Sequence, residues 1–247
     1  MTDPTQHSTE RVVVLGAGAA CAGIAQVIAT AGYRVTLCEE RERLEAARAE
    51  VDGGRFGLLA AADAGRISSD ERTQALERLH FSEDPDGAAI ADLAVVSNPG
   101  GPETLVPLLV EVERQLATSA VLAVDSPGEP LAALGAGLRR PERLVGWHWG
   151  WPAQLNKLAE IVAAADTTES AVEVVVRVAR RTGKNPIVIA DAPESWGYVT
   201  NRVLSALHSE AARLVAEGVA GPGEVDRLLI DAFGWPAGPL GRGIEAR

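Results

Sequence analysis

Positive charge is scarce in this chain, and so are cysteine, histidine and aromatic residues. The 247 residues include 23 Lys and Arg against 34 Asp and Glu, which gives a formal net charge of −11 at pH 7. Nucleic acids and acidic membrane surfaces are bound through a basic face, and a chain this acidic is poorly suited to provide one. We therefore expect neither nucleic acid nor membrane as a partner.

Long apolar runs and targeting signals are also missing. No apolar run reaches the roughly 20 residues of a membrane-spanning helix, and the N-terminal MTDPTQHSTE has no apolar core typical of a secretory signal. The two cysteines, Cys21 and Cys38, fall in apolar segments, as expected of reduced thiols. The cysteines and histidines show no metal-ligand spacing, so we expect no metal site. These features predict a cytoplasmic protein.

Short apolar runs alternate with helical stretches along most of the chain. RVVVLGAG (11–18), YRVTLCEE (33–40) and later runs at 90–97, 119–126 and 143–149 are typical of strands. This alternation predicts an α/β fold with a Rossmann-like, doubly wound and mostly parallel sheet. Only helical patterns remain from residue 199 onward. We therefore predict a dinucleotide-binding domain over 1–191 and a small all-helical domain over 192–247.

A glycine-rich turn follows the first predicted strand. Gly16-Ala17-Gly18-Ala19-Ala20-Cys21 is one glycine short of the dinucleotide fingerprint, whose glycines permit a tight turn and close approach of a pyrophosphate to a helix N-terminus. The next strand ends at Glu39, where a carboxylate would bind a ribose 2′-hydroxyl and repel a 2′-phosphate. A turn that binds nothing is the alternative. The pattern predicts NAD as cofactor, bound by Gly16, Gly18, Ala19, Ala20, Cys21 and Glu39.

Several segments, in the same order along nearly the whole chain, resemble the L-3-hydroxyacyl-coenzyme A dehydrogenase family. LGAGAACAGIAQVIATAGYRVTLCE resembles the first βαβ unit of the family, RPERLVGWHWGWP with KLAEIV resembles its catalytic segment, and GYVTNR resembles its junction with the helical domain. The resemblance implies a Rossmann-like fold, NAD, and interconversion of a 3-hydroxyacyl substrate with its 3-keto form.

The resemblance also implies an acid/base pair. In the family a histidine at the end of this strand exchanges a proton with the substrate hydroxyl, and a glutamate twelve residues later holds its imidazole; here these are His148 and Glu160. A carboxylate in an apolar strand is costly unless it is paired, and an anionic partner makes histidine a stronger base. Asn201 matches the active-site asparagine of the family. A structural His–Glu pair and an ordinary helix-start asparagine are the alternatives.

The chain departs from the family at several places. The substrate-contacting serine is replaced by Pro127, with Ser126 one position away as a substitute hydroxyl, and the neighbouring asparagine is replaced by Asp125. The loop beside the nicotinamide lacks both family acids, and Asn98 and Pro99 are its predicted cofactor contacts. Residues 194–196 form an insertion. The chain also stops shortly after GPL, without the family's terminal helices, which leaves a homodimer open.

These features together predict an NAD-dependent oxidoreductase acting on a small acyl substrate linked to coenzyme A or another carrier. The altered loops favour a substrate from specialised metabolism. Two alternatives stay open. In one, the same fold is repurposed for proton-transfer chemistry as a cyclase, isomerase or dehydratase. In the other, the protein binds a nucleotide without catalysis.

Overall fold

The computed structural model describes residues 10–16, 18–83, 89–97 and 101–241. The chain divides into two compact units at the Trp196–Gly197 junction. The first unit contains a sheet covered by helices, and the described part of the second contains helices. The domain border after residue 191 stays a prediction.

The first unit is built on one eight-stranded sheet with the order β3-β2-β1-β4-β5-β6-β7-β8. Every neighbouring pair is parallel except β6 and β7, which are antiparallel. This arrangement confirms the predicted Rossmann-like, mostly parallel class. The strands are β1 (Arg11–Gly16), β2 (Arg34–Cys38), β3 (Leu79–Ser82), β4 (Leu93–Ser97), β5 (Val121–Asp125), β6 (Leu144–Trp149), β7 (Leu158–Ala163) and β8 (Asn185–Ala190).

The helices of the first unit connect and cover these strands, and two further helices lie in the second unit. Those of the first unit are α1 (Ala19–Thr30), α2 (Arg41–Gly53), α3 (Leu58–Asp63), α4 (Ser69–Arg78), α5 (Pro102–Gln115), α6 (Leu131–Gly135) and α7 (Glu169–Arg181). The second unit holds α8 (Val199–Ala216) and α9 (Pro222–Phe233), as the helical pattern predicts. None of the helices in the described part of the chain is both long and apolar enough to span a membrane.

The local sequence explains where these helices begin. Ser68 and Glu71 form a reciprocal capping box at the start of α4, and Pro102 occupies the first turn of α5 after Gly101. By contrast, α1 begins at the glycine turn with no side-chain cap. Its first backbone N–H groups have no intrahelical partner, so this end of α1 is suited to an anionic ligand.

The core lies between the sheet and the helices packed on it. Every residue of β4 is buried, because a central parallel strand is covered on both faces. In β6 the side chains alternate, so Trp147 and Trp149 join the core with α1 and α7 and stack with ring centroids 4.3 Å apart. His148, between them, faces the opposite side of the sheet. The sheet therefore fixes the direction of the imidazole.

Lys184, between α7 and β8, is a buried cation that holds the loop following β6. Its Nζ donates hydrogen bonds to the carbonyl oxygens of Ala153 and Asn156, and it lies 5.2 Å from the centroid of the Trp149 ring. Burial lowers the pKa of Lys184 from 10.5 to about 8. This single side chain therefore ties the β6–β7 connection to the start of β8.

We expect Lys184→Met to lower the unfolding free energy at pH 7 by about 2 kcal/mol, because the carbonyl groups of Ala153 and Asn156 lose their charged donor. The pKa of Lys184 is lower in the folded than in the unfolded chain, so below about pH 8 the folded protein bears the full cost of burying a charged amine. As the pH rises from about 8 to 10.5, the folded amine is neutral while the unfolded amine is still charged, and this cost disappears. The advantage of the unsubstituted protein over the variant should therefore grow across this range.

Urea denaturation at several pH values measures both effects. The exposed Lys157 provides the matched control, and Lys157→Met should change the unfolding free energy by less than about 0.5 kcal/mol. Equal losses for the two variants would contradict the structural role of Lys184.

Candidate active site

Gly16 and Gly18, in the turn after β1, are suited to glycine for different structural reasons. Gly16 has φ 135°, and a Cβ atom there would lie 1.7 Å from the carbonyl oxygen of Ser97, so only glycine fits. Gly18 has φ 86° but nothing within 4 Å of an added Cβ. Gly16 therefore allows β1 to approach β4, and Gly18 leaves open space in front of the first turn of α1. A pyrophosphate fits this arrangement.

Ala19, Ala20 and Cys21, the other predicted residues of this turn, differ in whether they face solvent or the core. Ala19 is exposed and Ala20 is partly exposed at the start of α1. Cys21 is buried, and its thiol donates a hydrogen bond to the Ser97 carbonyl at 3.1 Å. Burial and the nearby acids Glu39 and Asp125 raise the pKa of the Cys21 thiol to about 12. The Cys21 side chain thus packs α1 against β4 and does not face the open turn.

Glu39 brings a carboxylate to the same turn. It follows β2 directly and is buried, and its two oxygens accept hydrogen bonds of 3.1 Å from the backbone N–H groups of Gly18 and Glu40. This is the position in which an acid would contact an adenosine ribose. Of the other predicted cofactor contacts, Asn98 and Pro99 lie outside the described residues.

The structure brings His148 and Glu160 together across neighbouring strands. They are directly opposite in the antiparallel β6–β7 pair, and Nδ1 of His148 lies 2.6 Å from a carboxylate oxygen of Glu160. The side chains are 13% and 5% exposed, so Glu160 is sealed in while the imidazole retains an opening. Since Nδ1 is engaged by the carboxylate, proton exchange with a substrate would have to use Nε2.

Two polar residues that the sequence did not assign to the site lie at the ends of β4 and β5, and one of them, Asp125, is close enough to His148 to be influenced by it. Asp125 ends β5, and one of its oxygens accepts a hydrogen bond of 2.8 Å from the hydroxyl of Ser97 at the end of β4. Its other oxygen accepts a hydrogen bond of 3.3 Å from the backbone N–H of Trp149. Burial raises the pKa of Asp125, while these hydrogen bonds and the electrostatic influence of His148 act in the opposite direction. The signal in the sequence is positional, because both residues end parallel strands.

Ser126 is not brought to the imidazole as a substitute hydroxyl. It is fully buried, accepts hydrogen bonds from the backbone N–H groups of Gly128 and Glu129 at 3.2 and 3.0 Å, and donates to the Glu129 carboxylate. Its hydrogen-bonding groups are therefore used within its own loop. Asn201 lies in the first turn of α8 in the second unit, and its contact with a substrate stays a prediction.

Two family models match this chain, one on each side of the boundary between its two compact units. The model of the 3-hydroxyacyl-CoA dehydrogenase NAD binding domain matches residues 11–192, and the model of the C-terminal domain matches residues 197–243. The fatty acid oxidation complex subunit alpha of Ectopseudomonas oleovorans is 31% identical over 237 residues, which cover 96% of this chain and 32% of that protein.

Two further relatives point to the same family. The 3-hydroxyadipyl-CoA dehydrogenase of Escherichia coli K12 is 30% identical over 233 residues, covering 94% of this chain and 48% of that protein. The chain thus spans between about a third and a half of these curated relatives. The crystal structure of FadB2 from M. tuberculosis superposes with a TM-score of 0.86 at 28% identity, covering 94% of this chain and 81% of that one. The chain belongs to the 3-hydroxyacyl-CoA dehydrogenase family, and residues 11–192 are its NAD-binding domain.

Proposed function

We propose that this protein is an NAD-dependent dehydrogenase that interconverts the 3-hydroxyl and 3-keto forms of an acyl thioester. The observation that carries the proposal is the His148–Glu160 pair at the carboxyl end of the sheet that also bears the glycine turn. Three strand spacings separate β1 from β6 in the sheet order, roughly 14 Å. A dinucleotide bound across these strand ends would be held by the glycine turn at one end and would reach toward the pair at the other.

His148 is proposed to handle the proton of the reaction. When bound, NAD would supply the hydride acceptor for the oxidation. Nε2 of His148 takes the proton from the substrate hydroxyl during oxidation and returns it during reduction. Glu160 accepts the hydrogen bond from Nδ1, fixes the ring orientation and stabilises the imidazolium that forms.

Two observations bear on the proposed substrate: the name of one relative and the structure of the loop that follows β5. The name of the E. coli relative specifies an acyl-CoA substrate, which favours a thioester of coenzyme A or a similar carrier here. Pro127 is exposed and has no N–H group, and the hydroxyl of Ser126 is turned into its loop. Without a hydroxyl from this loop, we propose a substrate other than an ordinary fatty acyl thioester, from specialised metabolism. Cytoplasmic location and a homodimer stay predictions.

His148→Gln should lower kcat for oxidation of a 3-hydroxyacyl-CoA by about 10³-fold, because the proton acceptor is lost. Glu160→Gln should lower kcat on the order of 10²-fold, because the amide no longer stabilises the imidazolium. NADH formation, followed by absorbance with a panel of 3-hydroxyacyl-CoA substrates, measures both effects. NAD binding should stay within about threefold of the unsubstituted protein in either variant.

The exposed His80 on β3 provides the matched control, and His80→Gln should retain kcat. If His148→Gln also retained kcat, the assignment of the acid/base would be wrong. If the unsubstituted protein bound NAD but oxidised no member of the panel, the proposed dehydrogenase activity would be wrong.

Glu39→Ser should weaken NAD binding by about tenfold and improve NADP binding relative to NAD, because a ribose acceptor and a charge that repels the 2′-phosphate are both removed. Isothermal titration with each dinucleotide gives the ratio of dissociation constants. Glu40→Ser removes an exposed neighbouring carboxylate and should leave that ratio unchanged. An identical ratio in all three proteins would show that Glu39 does not select the cofactor.

A further inference from the structure

A continuous set of polar contacts crosses the carboxyl ends of β4, β5 and β6. Ser97 and Asp125 are register partners at the ends of β4 and β5, and the Ser97 hydroxyl donates to the Asp125 carboxylate at 2.8 Å. The backbone N–H of Trp149, at the end of β6, donates to the other carboxylate oxygen at 3.3 Å. Both donors are neutral, so the hydrogen bonds place Asp125 without neutralising a negative charge on it.

The charged surroundings of Asp125 are limited. Among the described residues, His148 on β6 is the basic side chain that acts electrostatically on Asp125, and no lysine or arginine forms a salt bridge with it. Glu160 on β7 contacts Nδ1 of that histidine, and Cys21 on α1 carries a thiol whose pKa, about 12, keeps it neutral at physiological pH. The described neighbours on β4, α1 and β6 therefore leave Asp125 without a permanent cationic partner.

This carboxylate lies at the end of the sheet where the second half of a dinucleotide would be held. Gly16 packs directly against the Ser97 carbonyl, which joins the glycine turn to the end of β4. Glu39 lies beside the glycine turn on the β2 side. Residues at the ends of β1 and β2 would therefore hold the adenosine half of a dinucleotide, and residues at the ends of β4 and β5 would hold its nicotinamide half. Asp125 ends β5, and His148, the residue proposed to receive the substrate proton, acts electrostatically on it.

An ionisable group at this place distinguishes the two forms of the cofactor by charge. The nicotinamide ring is a cation when oxidised and neutral when reduced. An adjacent cation favours the ionised form of a carboxyl group, whereas a neutral ring does not. An amide at this position could not make this distinction, so the effect depends on the carboxyl group of Asp125.

Building on the proposed function, we propose that Asp125 selects the oxidised cofactor by binding NAD⁺ in its carboxylate form, with release of a proton to the solvent. In the free protein, burial raises the pKa of Asp125, so a fraction of the carboxyl groups carries a proton as the pH falls. NAD⁺ lowers that pKa, so its affinity decreases with falling pH between the free and the bound pKa values. NADH affinity changes little over the same range.

The test is isothermal titration of the full chain with NAD⁺ and with NADH, from about pH 8.5 down to the lowest pH at which the protein stays folded, in two buffers with different ionisation enthalpies. We expect the NAD⁺ dissociation constant to rise by about tenfold toward low pH, with proton release on binding, and the NADH constant to stay nearly constant. Asp125→Asn should bind NAD⁺ about tenfold more weakly at high pH and remove both the pH dependence and the proton release.

Three comparisons separate this role from other causes. NADH binding by Asp125→Asn at the strength of the unsubstituted protein reports that the variant is folded. Asp166→Asn removes an exposed carboxylate and should leave NAD⁺ binding unchanged, which controls for net charge. His148→Gln should keep the pH dependence, because the proton is released by Asp125.

The proposal would be wrong if Asp125→Asn still released a proton on binding NAD⁺. It would also be wrong if His148→Gln lost proton release while Asp125→Asn kept it, because the proton would then come from His148. A pH dependence that is the same for NAD⁺ and NADH would also overturn it, while leaving the proposed dehydrogenase function intact. Absence of binding by both nucleotides would instead refute the proposed function, and the role of Asp125 with it.

Discussion

The antiparallel pairing of β6 with β7 is the constraint on which the proposed chemistry depends. Trp147 opposite Ile161 lies in the core, and a Cβ on Gly146 would come within 2.8 Å of the Cβ of Val162, so the two strands fit closely in one register. A slip of one residue would turn the core tryptophans to the other face of the sheet. The contact between His148 and Glu160 is therefore maintained by apolar packing on the opposite face, as well as by its own hydrogen bond.

Buried and half-buried acids recur at this edge of the sheet, and each has hydrogen-bond donors. Glu39 accepts two backbone N–H groups, Asp125 accepts a hydroxyl and a backbone N–H, and Glu160 contacts an imidazole nitrogen. An unpaired buried carboxylate would be strongly destabilising, so these partners are conditions for the fold as well as for any activity. Glu39 and Asp125 contact backbone and hydroxyl donors, which leaves both acids able to respond electrostatically to a ligand.

The sequence could predict the features that depend on local periodicity and spacing. The alternating strands, the glycine turn, the carboxylate after β2 and the helical second unit all follow from neighbours in the chain, and the family assignment is confirmed. The direction of the Ser126 hydroxyl could not be predicted, because the bend of its loop offers a nearer carboxylate on Glu129. The contacts of Asp125 were missed because Ser97 and Trp149 approach it only when three strands are aligned.

Two departures from the family, distant in the sequence, form one structural feature. The indole N–H of Trp196, in the 194–196 insertion, donates to one oxygen of Glu129 at 3.3 Å, and Ser126 donates to the other. The loop after β5, which contains Ser126, is thus linked through the Glu129 carboxylate to the 194–196 segment. Hydrogen-bond networks of this kind restrict the motion of a loop, so the carboxylate of Glu129 holds the turn after β5 against the segment that contains Trp196. The hydroxyl of Ser126 is occupied by that carboxylate, and donating it to any ligand would first require this contact to break.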